Sequence, residues 1–232
     1  MDNEVHFPLN AREFLWNKQF YDEEFKYILN ICYCAYKRLL VDGIKIVDNE
    51  NKIRDVIFSR YLGNQCFLDS MGCGNYLFDK EIPEGEGRID IRVMPVGNEF
   101  RGRGAYYIIE CKRLNNSQKK SVYGLNAKYV ANGIYRFVSN FYSCRLGCNG
   151  MFGFIVSPMD IGKNVKCING LLGKAIKDDK GYDVVVSSTE VLRRQRNAIP
   201  NFSHVYKSKH LATDKSQIIL YHLMLDVSMN II

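Results

Sequence analysis

The sequence predicts an α/β domain, a mixed sheet with helices packed on it, with a helical N-terminal addition and a C-terminal β-hairpin extension. Three observations predict it. Apolar residues recur at helical spacing in two long stretches, from Asp22 to Leu40 and from Ser121 to Ser143. Two short β-like apolar runs, Gly87–Val93 and Tyr106–Lys112, each carry charge inside them. The order through the middle of the chain is helix, three strands, helix, strand.

The first helix, expected over residues 22–41, places Phe25, Ile28, Leu29, Cys32, Ala35, Tyr36 and Leu39 on one face. Val41-Asp42-Gly43 ends it. A second helix is expected to start near Asp48-Asn49-Glu50, with Ile53, Val56, Ile57 and Tyr61 inward and Gly63-Asn64 as its stop. Cys66 to Asn75 reads as a glycine-bearing loop. Tyr76 to Ile82 is a strand, followed by the Asp90 and Glu110 strands; Pro95 to Gly104 between them is an exposed loop. Gly133 inside the long 121–143 helix costs about 1 kcal/mol against alanine, which predicts close packing on the sheet. Met151 to Val156 is a buried strand ended by Ser157-Pro158. Beyond it, Cys167 to Lys177 reads as a helix and Tyr182 to Ser188 as a strand. Ser203 to Val227 reads as two strands around a turn at Thr213-Asp214-Lys215.

The chemistry lies in Gly87-Arg88-Ile89-Asp90-Ile91-Arg92-Val93 and Tyr106-Tyr107-Ile108-Ile109-Glu110-Cys111-Lys112. Side chains alternate across a strand, so Glu110 and Lys112 share a face. An acid and an ammonium buried in mid-strand cost several kcal/mol unless paired or bound to something. Asp90, Glu110 and Lys112 are the residue types that hold a divalent metal and steer a water at a phosphodiester. The competing reading is a set of exposed edge-strand ion pairs, which contribute roughly 0–1 kcal/mol. The apolar character of the Glu110 strand and the helix that follows it weigh against that.

The spacing of Asp90 and Glu110-Cys111-Lys112, together with the element order, resembles the PD-(D/E)xK, or restriction-endonuclease-like, nuclease superfamily. The resemblance covers about residues 48 to 157 and implies an α-β-β-β-α-β core within a single domain, 1–232, with residues 158–232 as an extension. It implies Asp90, Glu110 and Lys112 as catalytic residues. Asp90, Glu110 and the backbone carbonyl of Cys111 would be ligands of Mg²⁺, with Mn²⁺ able to substitute. Glu50 would add a carboxylate from the preceding helix; an acid in a first helical turn also simply opposes the helix dipole. Glu81, Glu84 and Glu86 precede Asp90 and are further candidates. The Pro-Asp pair of the family name is absent, since Gly87-Arg88-Ile89 stands before Asp90.

The chain has 232 residues, 47% hydrophobic and 25% charged, which places it among globular proteins able to bury a full core. No apolar run is long enough to span a bilayer, and Met1-Asp2-Asn3-Glu4 lacks a signal-peptide core, so a cytoplasmic protein without membrane partners is expected. The net charge of +7 suits contact with phosphates. Arg113, Lys119, Lys120, Lys128, Tyr135 and Arg136 are the candidate nucleic-acid-binding residues; Arg193, Arg194 and Arg196 form a second basic group. Lys128, Asn132 and Tyr135 share a helix face that could hold phosphate or brace Lys112. The 8 cysteines show no paired CxxC knuckles, so zinc and disulfides are not expected. His204, His210 and His222 lack metal spacing and are assigned to the tail hairpin without a role.

These readings lead to a Mg²⁺-dependent endonuclease acting on DNA, and the resemblance suggests a bacterial or phage defence or restriction setting. The alternatives are a non-catalytic nucleic-acid-binding or scaffold subunit with the same fold, and an RNA nuclease. Cutting both strands of a duplex would favour a homodimer. With no Walker A loop in the sequence, any ATPase partner must be a separate chain.

Overall fold

The computed structural model describes residues 15–85, 87–96, 106–144 and 146–232. Glu86 and most of the expected 95–104 loop lie outside them. The chain opens with helix α1 (Leu15–Val41) and α2 (Glu50–Ile57), which continues through a π turn at Phe58–Leu62. The Asn49 side chain caps α2 by accepting the N–H of Lys52. A short α3 (Gln65–Ser70) follows where a loop was expected. Asn64 caps it, and Gly72, at φ +66°, lies just past its end. The glycines after this helix masked it in the sequence.

Strands β1 (Tyr76–Glu84) and β2 (Gly87–Pro95) form a hairpin, and β3 (Tyr107–Leu114) pairs antiparallel with β2. The expected 121–143 helix is shorter. It comprises α4 (Leu125–Tyr129), a π turn (Val130–Ile134) and α5 (Tyr135–Val138), entered from Gly124 after a series of turns. Strand β4 (Cys148–Ile155) then runs parallel to β3. Asp160 caps α6 (Ile161–Asn169). The expected 167–177 helix is therefore displaced. Gly170 ends α6, and Ala175–Lys177 is instead strand β5, paired with β6 (Asp183–Val185) in a separate small hairpin. The Leu171-Leu172 pair prolonged the apolar pattern past the true stop.

Strands β7 (Glu190–Arg194), β8 (Val205–Leu211) and β9 (Gln217–Asp226) complete a seven-stranded sheet of order β1-β2-β3-β4-β9-β8-β7. The expected tail hairpin exists as β8 and β9, but it is not an extension. β9 lies parallel beside β4 near the middle of the sheet, and its interior is buried. A near-continuous apolar run such as Ile218 to Leu225, interrupted at His222, fits a strand covered on both faces.

Helices α1 and α2 cover one face, with Phe25, Ile28, Ile53 and Ile57 packed into a cluster that includes Ile91, Ile109, Cys111 and Phe152. Helices α4 to α6 cover the other, with Tyr129, Ile134, Phe137 and Val165 in a cluster that includes Ile108, Leu114, Met151 and Leu220. Gly133 is the close approach expected from the sequence. A Cβ there would stand 2.4 Å from Met151 Cε and 3.4 Å from Lys112 Cγ. Among the described residues, no helix is long and apolar enough to cross a membrane. All eight cysteines are free.

Candidate functional site

The site forms where the sheet forks. The β2–β3 ladder pairs Val93 with Tyr107, Arg92 with Ile108 and Ile91 with Ile109, and no further. Beyond Ile109 the edge of β3 that faces β2 has lost its backbone partners, and buried amides there need substitutes. Two carboxylates supply them. Asp90 Oδ2 accepts the N–H of Cys111 at 2.8 Å, and Glu50 Oε2 accepts the N–H of Arg113 at 2.9 Å. The carbonyl of Cys111 lies between these two amides along β3 and accepts Lys112 Nζ at 2.8 Å.

Alternation along β3 puts Ile108, Glu110, Lys112 and Leu114 on the α4–α5 side, as their packing shows. Glu110 is fully buried. Its Oε1 accepts Lys112 Nζ at 2.7 Å and Arg136 Nη1 at 2.8 Å, and its Oε2 accepts the Tyr142 hydroxyl at 2.5 Å. Lys112 Nζ also donates to Glu50 Oε1 at 3.1 Å. One ammonium thus gathers Glu110 Oε1, Glu50 Oε1 and the Cys111 carbonyl oxygen around a single point.

Burial pushes the Glu110 carboxyl up to about 7, with Lys112 and Arg136 pulling the other way and the nearby Asp90 adding to the rise. Burial works against the charge on Lys112, but Glu110, Glu50 and Asp90 outweigh it and hold the ammonium above its ordinary value. Burial and the Glu110 charge both raise the Tyr142 phenol, which therefore stays a donor.

Asp90 has a second anchor that the sequence reading missed. Arg54, on α2 and almost fully buried, donates Nη1 to Asp90 Oδ1 at 2.8 Å and Nη2 to Glu81 Oε1 at 2.9 Å. It also pairs with Asp55 at 3.0 Å. Glu81 sits at φ +54°, a strained backbone for a residue with a Cβ, at the position flanked by the Lys80–Ile91 and Ile82–Ile89 pairs. A signal for Arg54 existed: it stands four residues after Glu50, beside the inward Ile53. Tyr142 lies past the end of α5 and offered none.

The other candidates are placed as follows. The Arg113 guanidinium is held by Asp48, at 2.6 Å to Oδ1. Lys119 reaches Asn116 at 2.6 Å, and Lys120 and Lys128 are exposed. Tyr135 packs its ring on the core beneath α5. Asn132 does not brace Lys112; its amide and Asp179 exchange hydrogen bonds of 2.7 and 3.0 Å. Glu84 is taken by Tyr106 and the N–H of Ser143, away from Lys112. Arg193 and Arg194 are exposed on the edge strand β7, and Arg196 is exposed just beyond it. His210 and His222 lie on the hairpin strands β8 and β9, fully buried and joined through Ser208 Oγ at 2.8 Å each.

No three His, Cys, Asp or Glu side chains among the described residues stand together as a ready metal-ligand set. The donors around Lys112 are two carboxylates and a main-chain carbonyl, while Asp90 is turned toward Arg54 and the Cys111 amide. Comparison with protein-family models, curated proteins and solved structures finds no match to this chain.

Proposed function

We propose that the chain is a divalent-metal-dependent nuclease, with Asp90, Glu110 and Lys112 as its catalytic residues and DNA as its substrate. The observation that carries this is the meeting of Glu110 Oε1, Glu50 Oε1 and the Cys111 carbonyl within 3.1 Å of Lys112 Nζ, at a sheet edge opened by the β2–β3 fork. All three are hard oxygen donors, the type that Mg²⁺ and Mn²⁺ take. Glu110, Glu50 and the Cys111 carbonyl would hold the ion, with Asp90 beside them. When bound, it would supply Lewis-acid polarisation of a phosphoryl oxygen and a template for the attacking water.

The chain's own groups divide the remaining work. Lys112 would orient the attacking water or help to deprotonate it, and would offset charge on the phosphate. Tyr142 fixes the orientation of the Glu110 carboxylate. Arg54 fixes Asp90. Lys120 and Lys128, exposed on the connection to α4 and on α4 itself, are available to phosphates. The test is incubation of the purified protein with DNA and RNA substrates, with and without Mg²⁺.

A second reading, a non-catalytic scaffold of the same fold, draws support from one feature. Both Glu110 oxygens and the Lys112 ammonium are satisfied within the chain. Failure to bind any divalent ion would favour it.

A further inference from the structure

Three cations stand against the carboxylates of the fork: Lys112, Arg54 and Arg136. A divalent ion arriving among them meets their repulsion in a buried setting where charges are poorly screened. The least confined of the three is the one to yield. Lys112 is 10% exposed at its side chain and holds three oxygens. Arg54 is 1% exposed and holds three carboxylates. Arg136 is 30% exposed and, among the described residues, its hydrogen bonds engage only Nη1, to Glu110 and Tyr142. Its guanidinium carbon lies 5.4 Å from the centre of the Phe141 ring, a surface along which a planar cation can turn.

We propose that Arg136 is an exchangeable cation, which neutralises Glu110 until a divalent ion takes that carboxylate and then turns its fork to the substrate phosphate. This rests on the metal-dependent reading above and deepens it. Arginine suits the role because its rigid fork matches two phosphate oxygens, and because it stays charged in both positions. Glu110 is never left as an unpaired buried charge, since the ion replaces the guanidinium that leaves. Arg136 is therefore a competitor for metal and a contact for nucleic acid, and its removal shifts the two affinities in opposite directions.

The experiment is calorimetry of Ca²⁺ binding to the parent, Arg136→Gln and Arg136→Lys, followed by titration of a short labelled DNA duplex in Ca²⁺. Arg136→Gln is expected to bind Ca²⁺ at least roughly tenfold more tightly than the parent, since one positive charge has been removed from the ligand. It is expected to bind the duplex more weakly, with the slope of log affinity against log salt flatter by about 0.9. Arg136→Lys keeps the cation on Glu110, so its Ca²⁺ affinity is expected between the two. Equal or weaker Ca²⁺ binding in both folded variants would overturn the exchange. If only one variant folds, its position relative to the parent decides the question. A parent that binds neither Ca²⁺ nor Mn²⁺ would overturn the metal-dependent reading itself, and the exchange with it.

Discussion

Asp90 Oδ2 accepts the main-chain N–H of Cys111 at 2.8 Å, so a side chain does for β3 what the β2 backbone has ceased to do. The same carboxylate is clasped on its other oxygen by Arg54. Asp90 is therefore both a structural wedge and a member of the candidate site. The fork it maintains is what leaves the Cys111 carbonyl facing Lys112 rather than a neighbouring strand.

Replacing Arg54 with methionine should destabilise the fold by roughly 3 kcal/mol, because Asp90 loses its partner in a confined setting. Glu81 and Asp55, about one-third exposed, add little. Urea denaturation of the two proteins measures the difference. A change within about 0.5 kcal/mol, the scale of an ordinary surface substitution, would show that the clasp is not a determinant of stability.

Gly133→Val should cost about 1–3 kcal/mol through overpacking, since the added carbon would overlap Met151 Cε and press on Lys112 Cγ. Met151→Ala in the same chain should restore part of the loss by making room. A double-mutant cycle on thermal or urea midpoints checks this, and strict additivity would contradict the contact.

The buried histidine pair should cost stability on mild acidification, opposed by Glu110, whose raised carboxyl takes up a proton in the fold at a pH where the unfolded chain does not. Burial lowers both His222 and His210 below the ordinary imidazole value; the nearby His210 lowers His222 further, while the hydrogen bond to the Ser187 carbonyl offsets part of the effect on His210. His210 Nδ1 donates to the Ser187 carbonyl at 3.0 Å, so its Nε2 accepts from Ser208. Ser208 then accepts from His222 Nε2, and His222 Nδ1 accepts from Tyr129 at 2.8 Å. This chain of donors requires both rings neutral. Above the unfolded value of about 6.5 both states are neutral and the network is intact. As pH falls below it, the unfolded chain takes protons that the fold refuses, and stability drops. Urea midpoints at about pH 7.5 and about pH 5.5 isolate the histidine contribution by comparison: His222→Gln should be more stable at about pH 5.5, relative to its own stability at about pH 7.5, than the parent is. A pH dependence unchanged in that variant would assign the effect elsewhere.

Much of this site was legible because charge inside an apolar strand is rare enough to stand out. Asp90, Glu110 and Lys112 announced themselves in that way, and alternation alone put Glu110 and Lys112 on one face. Glu50 was a candidate only through the resemblance, since its place in a first helical turn pointed equally to the helix dipole; its carboxylate does reach Lys112 and the Arg113 amide. The partners that neutralise the acids were not legible, because they arrive from elements distant in sequence. Arg54 comes from α2, Arg136 from α5 and Tyr142 from the turns that follow α5. Arg136 was read as a nucleic-acid contact, because nothing local places it against Glu110. The same limit applies to the fold. The hairpin of β8 and β9 was visible as a local pattern, but its insertion beside β4 is a long-range pairing that no local period encodes.

On the proposed reading, these groups hydrolyse phosphodiesters with a divalent ion. The direct measurement is a time course of the parent protein on supercoiled plasmid, linear duplex, single-stranded DNA and RNA, in Mg²⁺ and in chelator. Cleavage of DNA is expected in Mg²⁺, none in chelator, and none in Asp90→Asn, Glu110→Gln and Lys112→Met variants that keep the parent's fold. Lys112→Met is expected still to bind Ca²⁺. No cleavage of any substrate, or cleavage that persists in chelator or in all three variants, would contradict that reading.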